Sequence, residues 1–198
     1  MKNQTKKFVV ATWNILTLLD TNQNNIPERR TALISKELHN YNIDIAALSE
    51  TRLSEEGSIK EKEYTFYWKG VQGGLPRIHG VGFAIKNSLI PTLTELPVGI
   101  SERIITLNMK LSNYTNVTLI SVYAPTMTSQ INVIENFYQE LNTVLDRIPK
   151  SNKIILLGDF NARVGTDFDV WPNVLGKNGI GKVNSNGLRL LDLCTTNS

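Results

Sequence analysis

The chain has 198 residues, of which 41% are hydrophobic and 20% are charged, and its net charge is +3. This length and apolar content suit one domain with a sizeable core and exclude a wholly disordered chain. No apolar stretch reaches membrane-spanning length, and the single cysteine, Cys194, excludes an intramolecular disulfide and favours a reducing compartment. The mildly basic charge permits a phosphate-bearing partner without demanding one.

The beginning of the sequence predicts a strand, a helix and a second strand. The apolar, β-rich run Phe8 to Trp13 ends at Asn14. Pro27 suits the first position of a helix, and apolar residues at helical spacing continue that helix to about residue 41. A second apolar run, Ile43 to Leu48, leads to Glu50. If the two strands are parallel neighbours, Asn14 and Glu50 emerge at the same edge of the sheet.

The middle of the sequence predicts short antiparallel strands. The charged segment Leu53 to Glu63 is expected to form a surface loop or a short helix. Alternating aromatic residues predict a strand at Tyr64 to Trp68, and a glycine-rich connection carrying His79 leads to another strand at Val81 to Ile85. Two alternating apolar runs on either side of the polar turn at 112–116 predict an antiparallel hairpin.

The last third of the sequence predicts a long helix, a buried strand and a loop. Apolar residues at helical spacing predict the helix over 130–148. The run Ile154 to Leu157 is continuously apolar, which is typical of a strand buried on both faces, and Asp159 and Asn161 follow it. The segment 165–186 is rich in loop-forming residues, and a short amphipathic helix comes after it.

Asp159 and Asn161 are separated by one residue. If the strand continues through them, their side chains point the same way, because strand side chains alternate, while Phe160 points back towards the core. A carboxylate acceptor and an amide would then converge on one spot. A local turn in which Asp159 caps the backbone at the strand end is the alternative interpretation.

Strands that alternate with helices, with antiparallel hairpins between them, predict a mixed-sheet α/β sandwich. Polar side chains stand at four predicted strand ends, namely Asn14, Glu50, Tyr123, and Asp159 with Asn161. Magnesium takes one or two carboxylates in proteins and keeps several waters. Two acids, two amides and a phenol at one sheet edge would therefore form an oxygen-rich site for Mg²⁺ and a phosphate.

These motifs, in this order, resemble the endonuclease/exonuclease/phosphatase superfamily, and within it the apurinic-type endonuclease domains of non-LTR (LINE-like) retrotransposons. The matching pieces span nearly the whole chain: Thr12-Trp13-Asn14, Leu48-Ser49-Glu50-Thr51, Gly80-Val81-Gly82, Ser121-Val122-Tyr123-Ala124-Pro125, Gly158-Asp159-Phe160-Asn161 and Asn186-Gly187. The resemblance implies a DNase I-like, four-layered α/β sandwich with two mixed β-sheets flanked by helices. It also implies that residues 1–198 form a single domain that lacks the family's final strands, with their Asp and His.

The resemblance implies a role for each matching residue. Glu50 would be the principal metal ligand, with Asn14 beside it. Asp159 would position or deprotonate the attacking water, Asn161 would hold the scissile phosphate, and Tyr123 would hydrogen-bond the phosphate or its developing charge. The implied cofactor is Mg²⁺, which Mn²⁺ could replace. Further substrate contacts are expected from Arg52, His79 and Asn186.

The implied function is Mg²⁺-dependent phosphodiester hydrolysis by the DNA endonuclease domain of a retrotransposon-type protein. Such a domain would be a monomer without membrane contact, nuclear or cytoplasmic, and fused to a downstream reverse transcriptase. We expect weak activity, mainly because the family's final Asp and His are missing, and also because Leu16, which stands where the family often has an acid or an amide, supplies no second metal contact. Two alternatives stay open: a non-catalytic domain that binds nucleic acid or protein, and a phosphoesterase acting on a lipid or small phosphate ester.

Overall fold

The computed structural model describes residues 8–20, 29–112 and 115–197. The chain divides into two compact units. The first comprises Met1–Val122 with Lys150–Gly158, and the second comprises Tyr123–Pro149 with Asp159–Ser198. The prediction of a single domain over the whole chain stays a prediction.

The first sheet lies in the first unit and has five strands in the spatial order β1-β2-β5-β4-β3. These strands are β1 (Val10–Asn14), β2 (Ile45–Ser49), β3 (Glu56–Lys60), β4 (Tyr64–Lys69) and β5 (Val81–Lys86). Strands β1 and β2 are parallel and are connected through helix α1 (Arg30–Asn40), whereas the other described pairs are antiparallel. The predicted strand–helix–strand unit is therefore confirmed. Pro27, predicted to begin its helix, lies outside the described residues.

The core of the first sheet follows from its apolar sequences. Every residue of β2 is buried, as its continuous apolar run predicts for an interior strand. Helix α1 contributes Leu38 to a cluster that also contains Leu48 of β2 and the rings of Tyr64 and Phe66 on β4. The carboxyl end of β2 is thus carried on a well-packed element.

The second sheet has four strands in the order β6-β7-β8-β9. They are β6 (Val98–Ser101), β7 (Ile104–Ser112), β8 (Thr115–Tyr123) and β9 (Lys153–Asp159). Strands β7 and β8 pair antiparallel, which confirms the predicted hairpin. The two sheets pack on each other where β4 and β5 approach β6 and β7, and Ser121 Oγ donates a hydrogen bond to the Leu48 carbonyl at 3.4 Å. The predicted α/β class with two packed sheets is confirmed.

The second unit contains the remaining helices, α2 (Ile131–Arg147) and α3 (Ser185–Thr196). Both were predicted from apolar periodicity, and the loop-rich stretch between β9 and α3 was predicted as well. The Tyr138 hydroxyl of α2 donates to the Asn186 carbonyl of α3 at 3.4 Å, and burial raises the pKa of Tyr138 to about 12. No helix among the residues that the structure describes is long and apolar enough to cross a membrane.

Three elements differ from the predictions. The segment Leu53 to Glu63 contains strand β3, because pairing with the aromatic strand β4 outweighs the weak β-propensity of its charged residues. Strand β6 was not predicted, since Val98–Ser101 contains a glycine and a serine within only four residues. Strand β9 is half-buried and Ile154 is 43% exposed, because β9 is a terminal strand in the described order and not an interior one.

Candidate functional site

The ends of β1 and β2 bring Asn14 and Glu50 together in the first unit. Asn14 pairs with Ser49 in the parallel ladder, so Glu50 follows directly beyond the end of that pairing. The Asn14 side-chain amide donates to Glu50 Oε1 at 2.9 Å, and Glu50 is 9% exposed. Asn14 and Glu50 therefore lie together, as was predicted from their positions at the ends of two parallel neighbouring strands.

The backbone after β2 is strained and firmly held. Glu50 has a φ of 57° and Arg52 a φ of 54°, a left-handed conformation that L-residues other than glycine rarely adopt. The amide of Thr51 donates to the Gly80 carbonyl at 3.1 Å, and the amide of Arg52 donates to the His79 carbonyl at 2.9 Å. These bonds to the segment before β5 impose the conformation, and strain of this kind is typical of functional sites.

Both oxygens of the Glu50 carboxylate have partners in the structure. Oε1 accepts from Asn14, and Oε2 forms an ion pair with Arg52 Nη2 at 2.7 Å. The Arg52 side chain is 42% exposed, although its Nε is buried and has no hydrogen-bond partner among the residues described. Arg52 therefore neutralises Glu50 while remaining accessible from solvent.

The donor atoms near Glu50 fit a hard cation better than a transition metal. Over the described part of the chain, no three His, Cys, Asp or Glu side chains are grouped so that they could hold a metal ion. Leu16 adds no ligand, since it is an exposed apolar residue whose amide donates to Asn14 Oδ1 at 3.1 Å. One carboxylate with an amide oxygen and water suits Mg²⁺, which would have to displace Arg52 from Oε2.

A buried guanidinium lies against His79. Arg103 is 9% exposed, and its Nη2 is 2.9 Å from His79 Nε2 and 3.5 Å from Nδ1. Burial and, after it, the Arg103 charge lower the pKa of His79, whereas Glu102 and Glu50 act in the opposite direction. The imidazole is therefore held neutral near pH 7. Sequence reasoning missed Arg103, whose only signal is an arginine directly before an apolar strand.

The second unit holds the turn after β9. Asp159 is the last residue of that strand, and Asn161 adopts a left-handed φ of 47°. The Asn161 amide donates to Asp159 Oδ1 at 2.9 Å, which is the local capping turn that was the alternative interpretation. The prediction of strand alternation through Asp159 and Asn161 is wrong, because the strand has ended; Phe160 between them is only half-buried.

The same turn is joined to the segment after β8. The Asn161 side-chain amide donates to the Ala124 carbonyl at 2.8 Å, and the Ala124 amide donates to the Asp159 carbonyl at 2.9 Å. Tyr123, the last residue of β8, directly precedes Ala124 and is 8% exposed. The backbones that carry Tyr123 and Asp159 are therefore fixed to one another.

Asn186 occupies a different place from the one expected of a substrate contact. It is 1% exposed, and its side-chain amide donates to the carbonyls of Pro125 at 3.0 Å and Asn161 at 3.1 Å. In the described conformation this side chain binds main-chain carbonyl groups.

The predicted functional roles of the other site residues stay predictions, as does the convergence of these residues on one spot. The residues are Glu50, Asn14, Asp159, Asn161 and Tyr123.

The comparison with protein families decides where the chain belongs. A model of the endonuclease/exonuclease/phosphatase family matches residues 11–181. The chain belongs to this family. The matched range includes every residue of the predicted catalytic and metal sets, and members of the endonuclease/exonuclease/phosphatase family hydrolyse phosphoester bonds.

Two curated relatives match nearly the whole chain. "Craniofacial development protein 2" of Tragulus javanicus is 27% identical over 192 residues, which are 97% of this chain and 31% of that protein. The protein of the same name from Bos taurus is 26% identical over 192 residues, 97% of this chain and 30% of its own length. The chain therefore spans less than a third of these relatives.

Two solved structures share the fold of this chain. The AP endonuclease LMAP of Leishmania major has a TM-score of 0.57 at 13% identity, with 96% of this chain and 64% of that chain covered. The APE2 catalytic domain of Xenopus laevis has a TM-score of 0.59 at 17% identity, with 92% and 66% covered. At these identities the likeness shows a shared DNase I-like fold.

Proposed function

We propose that this family member is a Mg²⁺-dependent phosphodiesterase that cleaves DNA. The observation that carries the proposal is the Glu50 carboxylate, which is buried, strained and hydrogen-bonded to Asn14 at the ends of two parallel strands. Burying a carboxylate and placing it on strained backbone both cost free energy. Such a residue is better explained by metal binding than by stability.

Each set of residues has a proposed part in the reaction. Glu50, with Asn14, would hold Mg²⁺ or Mn²⁺, and the bound ion would act as a Lewis acid on the phosphate. The Asp159 carboxylate orients the attacking water and accepts its proton. Asn161 Nδ2 carries two N–H groups, of which one donates to Ala124, so the other can bind a phosphate oxygen. The Tyr123 hydroxyl donates to the charge that develops during transfer.

Outside this reaction centre, Arg52 and His79 are proposed to contact phosphates of the DNA backbone. A partly exposed guanidinium is a suitable charge-assisted donor for that purpose, and a neutral imidazole has a single N–H to donate. The order of the motifs supports the further proposal that the chain is the endonuclease domain of a non-LTR retrotransposon-type protein, with a reverse transcriptase elsewhere in that protein. We also propose that the domain acts as a monomer.

The metal assignment is tested by titration of Mg²⁺ or Mn²⁺ into the folded chain and its Glu50→Gln variant, with calorimetry as the readout. The variant keeps the size of the side chain and removes its charge, so we expect its affinity to fall by at least about tenfold. Glu56→Gln, on the exposed strand β3, is the matched control and should bind like the parent. Equal affinity in the parent and Glu50→Gln would remove Glu50 from the role.

The substrate class is tested by offering three phosphoesters to the same protein. Supercoiled plasmid reports DNA nicking, bis(p-nitrophenyl) phosphate reports simple diester hydrolysis, and a phosphoinositide vesicle represents lipid esters. We expect metal-dependent nicking of plasmid to exceed turnover of the other two. Faster hydrolysis of the vesicle lipid would favour the alternative of a lipid phosphoesterase.

A second candidate function is a non-catalytic binding domain, and the 2.7 Å ion pair between Arg52 and Glu50 favours it. If this pair replaces a metal permanently, Arg52→Gln will not create a Mg²⁺ site. If Arg52 only competes with the ion, the same variant will bind Mg²⁺ more tightly than the parent does. Tighter binding would therefore support the enzyme, and the absence of binding in both proteins would support the non-catalytic domain.

A further inference from the structure

The buried amide of Asn186 connects three segments of the second unit. Its Nδ2 donates to the carbonyls of Pro125 and Asn161, and its own backbone carbonyl accepts from the Tyr138 hydroxyl. Its Oδ1 is buried and has no hydrogen-bond partner among the residues that the structure describes. Buried polar atoms nearly always have hydrogen-bond partners. Because Oδ1 has none in the described part of the chain, the two hydrogen bonds that Nδ2 donates are the polar contacts that this side chain contributes.

Those two donors act on the backbone of the proposed reaction centre. The Asn161 carbonyl that Asn186 holds belongs to a residue in the left-handed conformation. The amide of that same residue donates to Asp159 Oδ1. On the other side, Pro125 lies two residues after Tyr123, and Ala124 between them is bonded to both Asp159 and Asn161.

We propose that Asn186 is a positioning residue, which fixes the direction of the Asp159 carboxylate by holding the left-handed turn at Asn161 against the Pro125 segment. It does not touch substrate, because its side chain is buried. Its effect on hydrolysis rests on the proposed function, whereas its effect on the turn can be measured without any substrate. This assignment replaces the expected direct contact between Asn186 and substrate.

The chemistry of the amide suggests the variants. Asn186→Ala removes both donors, and Asn186→Asp keeps the shape but turns an oxygen towards two carbonyl oxygens. Asn197 lies at the other end of α3, is exposed, and donates its side-chain amide to the Leu193 carbonyl at 2.8 Å. Asn197→Ala and Asn197→Asp are therefore matched controls on the same helix.

The first experiment is amide hydrogen exchange, followed by NMR, on the full chain and these variants. We expect Asn186→Ala to speed exchange at the Asn161 and Ala124 amides by roughly tenfold or more, while Leu191 in α3 keeps its parental rate. The Asn197 variants should leave Asn161 and Ala124 unchanged. Unchanged exchange at Asn161 would overturn the proposal, and equal acceleration at Leu191 would show a merely structural role for Asn186.

The second experiment is single-turnover plasmid nicking at saturating Mg²⁺. Because a small misplacement of a catalytic group is costly, both Asn186 variants should nick on the order of 10²-fold more slowly, with DNA affinity unchanged within about threefold. Weaker DNA binding at an unchanged cleavage rate would overturn the proposal in favour of a substrate contact. If the parent nicks no DNA, the proposed function fails, while faster exchange at Asn161 in Asn186→Ala still supports positioning of the turn.

Discussion

Glu50, Arg52 and Asn161 have left-handed φ values of 57°, 54° and 47° although none is glycine. Each is held by specific hydrogen bonds from neighbouring segments. Strained residues of this kind cost of order 1–3 kcal/mol each and persist only where the surroundings impose them. These three are among the residues proposed to bind metal, DNA backbone and scissile phosphate, whereas Leu16, Asn42, Glu55 and Asn173 share the conformation without a proposed role.

At the residue scale, Asp159→Asn is expected to separate catalysis from binding. The variant keeps an oxygen that can accept from the Asn161 amide, so the turn should survive, but it cannot accept a proton from water. Loss of a general base typically lowers the rate by about 10² to 10⁴-fold, whereas DNA affinity comes mainly from backbone contacts. Plasmid nicking and a gel-shift assay measure the two effects. Nicking at the parental rate would contradict the role of Asp159.

His79 makes a second prediction at this scale, which concerns pH. Its pKa in the folded chain lies below the usual 6.5, chiefly because of burial and then because of Arg103. Below about pH 6.5 the unfolded chain therefore binds the proton more readily, and the free energy of unfolding should fall as the pH is lowered towards the folded pKa. Urea unfolding between about pH 7.5 and pH 5.5 measures this decrease.

The matched variants for this effect are His79→Gln and His39→Gln. His79→Gln should remove the decrease over that pH range, because the group that takes up the proton on unfolding is gone. His39→Gln should keep it, since His39 lies on the exposed side of α1. A decrease that persists in full after His79→Gln would assign it to other groups.

At the scale of single elements, the cap of α3 fastens the long loop before it. Asn184 Oδ1 accepts from the amides of Gly187 at 2.7 Å and Arg163 at 3.0 Å, and the Asn184 amide donates to the Arg163 carbonyl at 2.9 Å. Both ends of the intervening loop are thus tied at one residue. An N-cap that also closes a loop stabilises more than the helix alone.

Asn184→Ala should therefore lower the free energy of unfolding by about 1–2 kcal/mol, the upper range for loss of an N-cap. Asn184→Asp preserves the acceptor and should stay within about 0.5 kcal/mol of the parent, because Asp caps about as well as Asn. Urea denaturation followed by circular dichroism measures both. Equal losses in the two variants would show that the side-chain oxygen is not the stabilising group.

The sequence correctly predicted two kinds of element, namely those stabilised mainly by contacts of their own residues and those that are completely buried. Helix α2 was predicted because its apolar residues repeat on one face, and β2 because a fully apolar run suits an interior strand. Strand β3 was not predicted, since its structure depends on pairing with β4 and not on its own residues. The turn at Asn161 was only the alternative interpretation, because an Asp-x-Asn sequence is compatible with either conformation and the apolar run before it favoured a continued strand.

At the scale of the whole molecule, the same distinction holds for the candidate site. The contact between Asn14 and Glu50 could be predicted from sequence, because these residues stand at the ends of two parallel neighbouring strands in a strand–helix–strand unit. The contact between His79 and Arg103 could not be predicted, since His79 precedes a strand of one sheet and Arg103 precedes a strand of the other. Nothing in the residues themselves indicates how two separate sheets will face each other.

The overall charge gives a prediction for the whole molecule as well. With 21 Lys and Arg against 18 Asp and Glu, the chain has little long-range attraction for DNA. We expect about three or four phosphate contacts, so the slope of log affinity against log salt should be roughly −3 to −4 in EDTA. Fluorescence anisotropy on duplex DNA measures that slope.

Two arginine variants test where the contacts lie. Arg52→Gln should make the slope shallower by about one, because one phosphate contact is lost. Arg147→Gln, at the exposed end of α2, should leave it unchanged. A slope steeper than about −7 would show a broad cationic interface that the net charge does not suggest.

Gly158 lies where any amino-acid substitution should disturb the packing of two neighbouring strands. Its φ is 132°, and a Cβ added there would lie 2.0 Å from the carbonyl oxygen of Val122 on the neighbouring strand, immediately before Asp159. The genetic code offers no missense change from glycine that avoids adding a Cβ. Every amino-acid substitution at this codon should therefore push β8 and β9 apart. Among gene copies descended from one ancestor, those that have lost this glycine should therefore have lost the native pairing of β8 and β9.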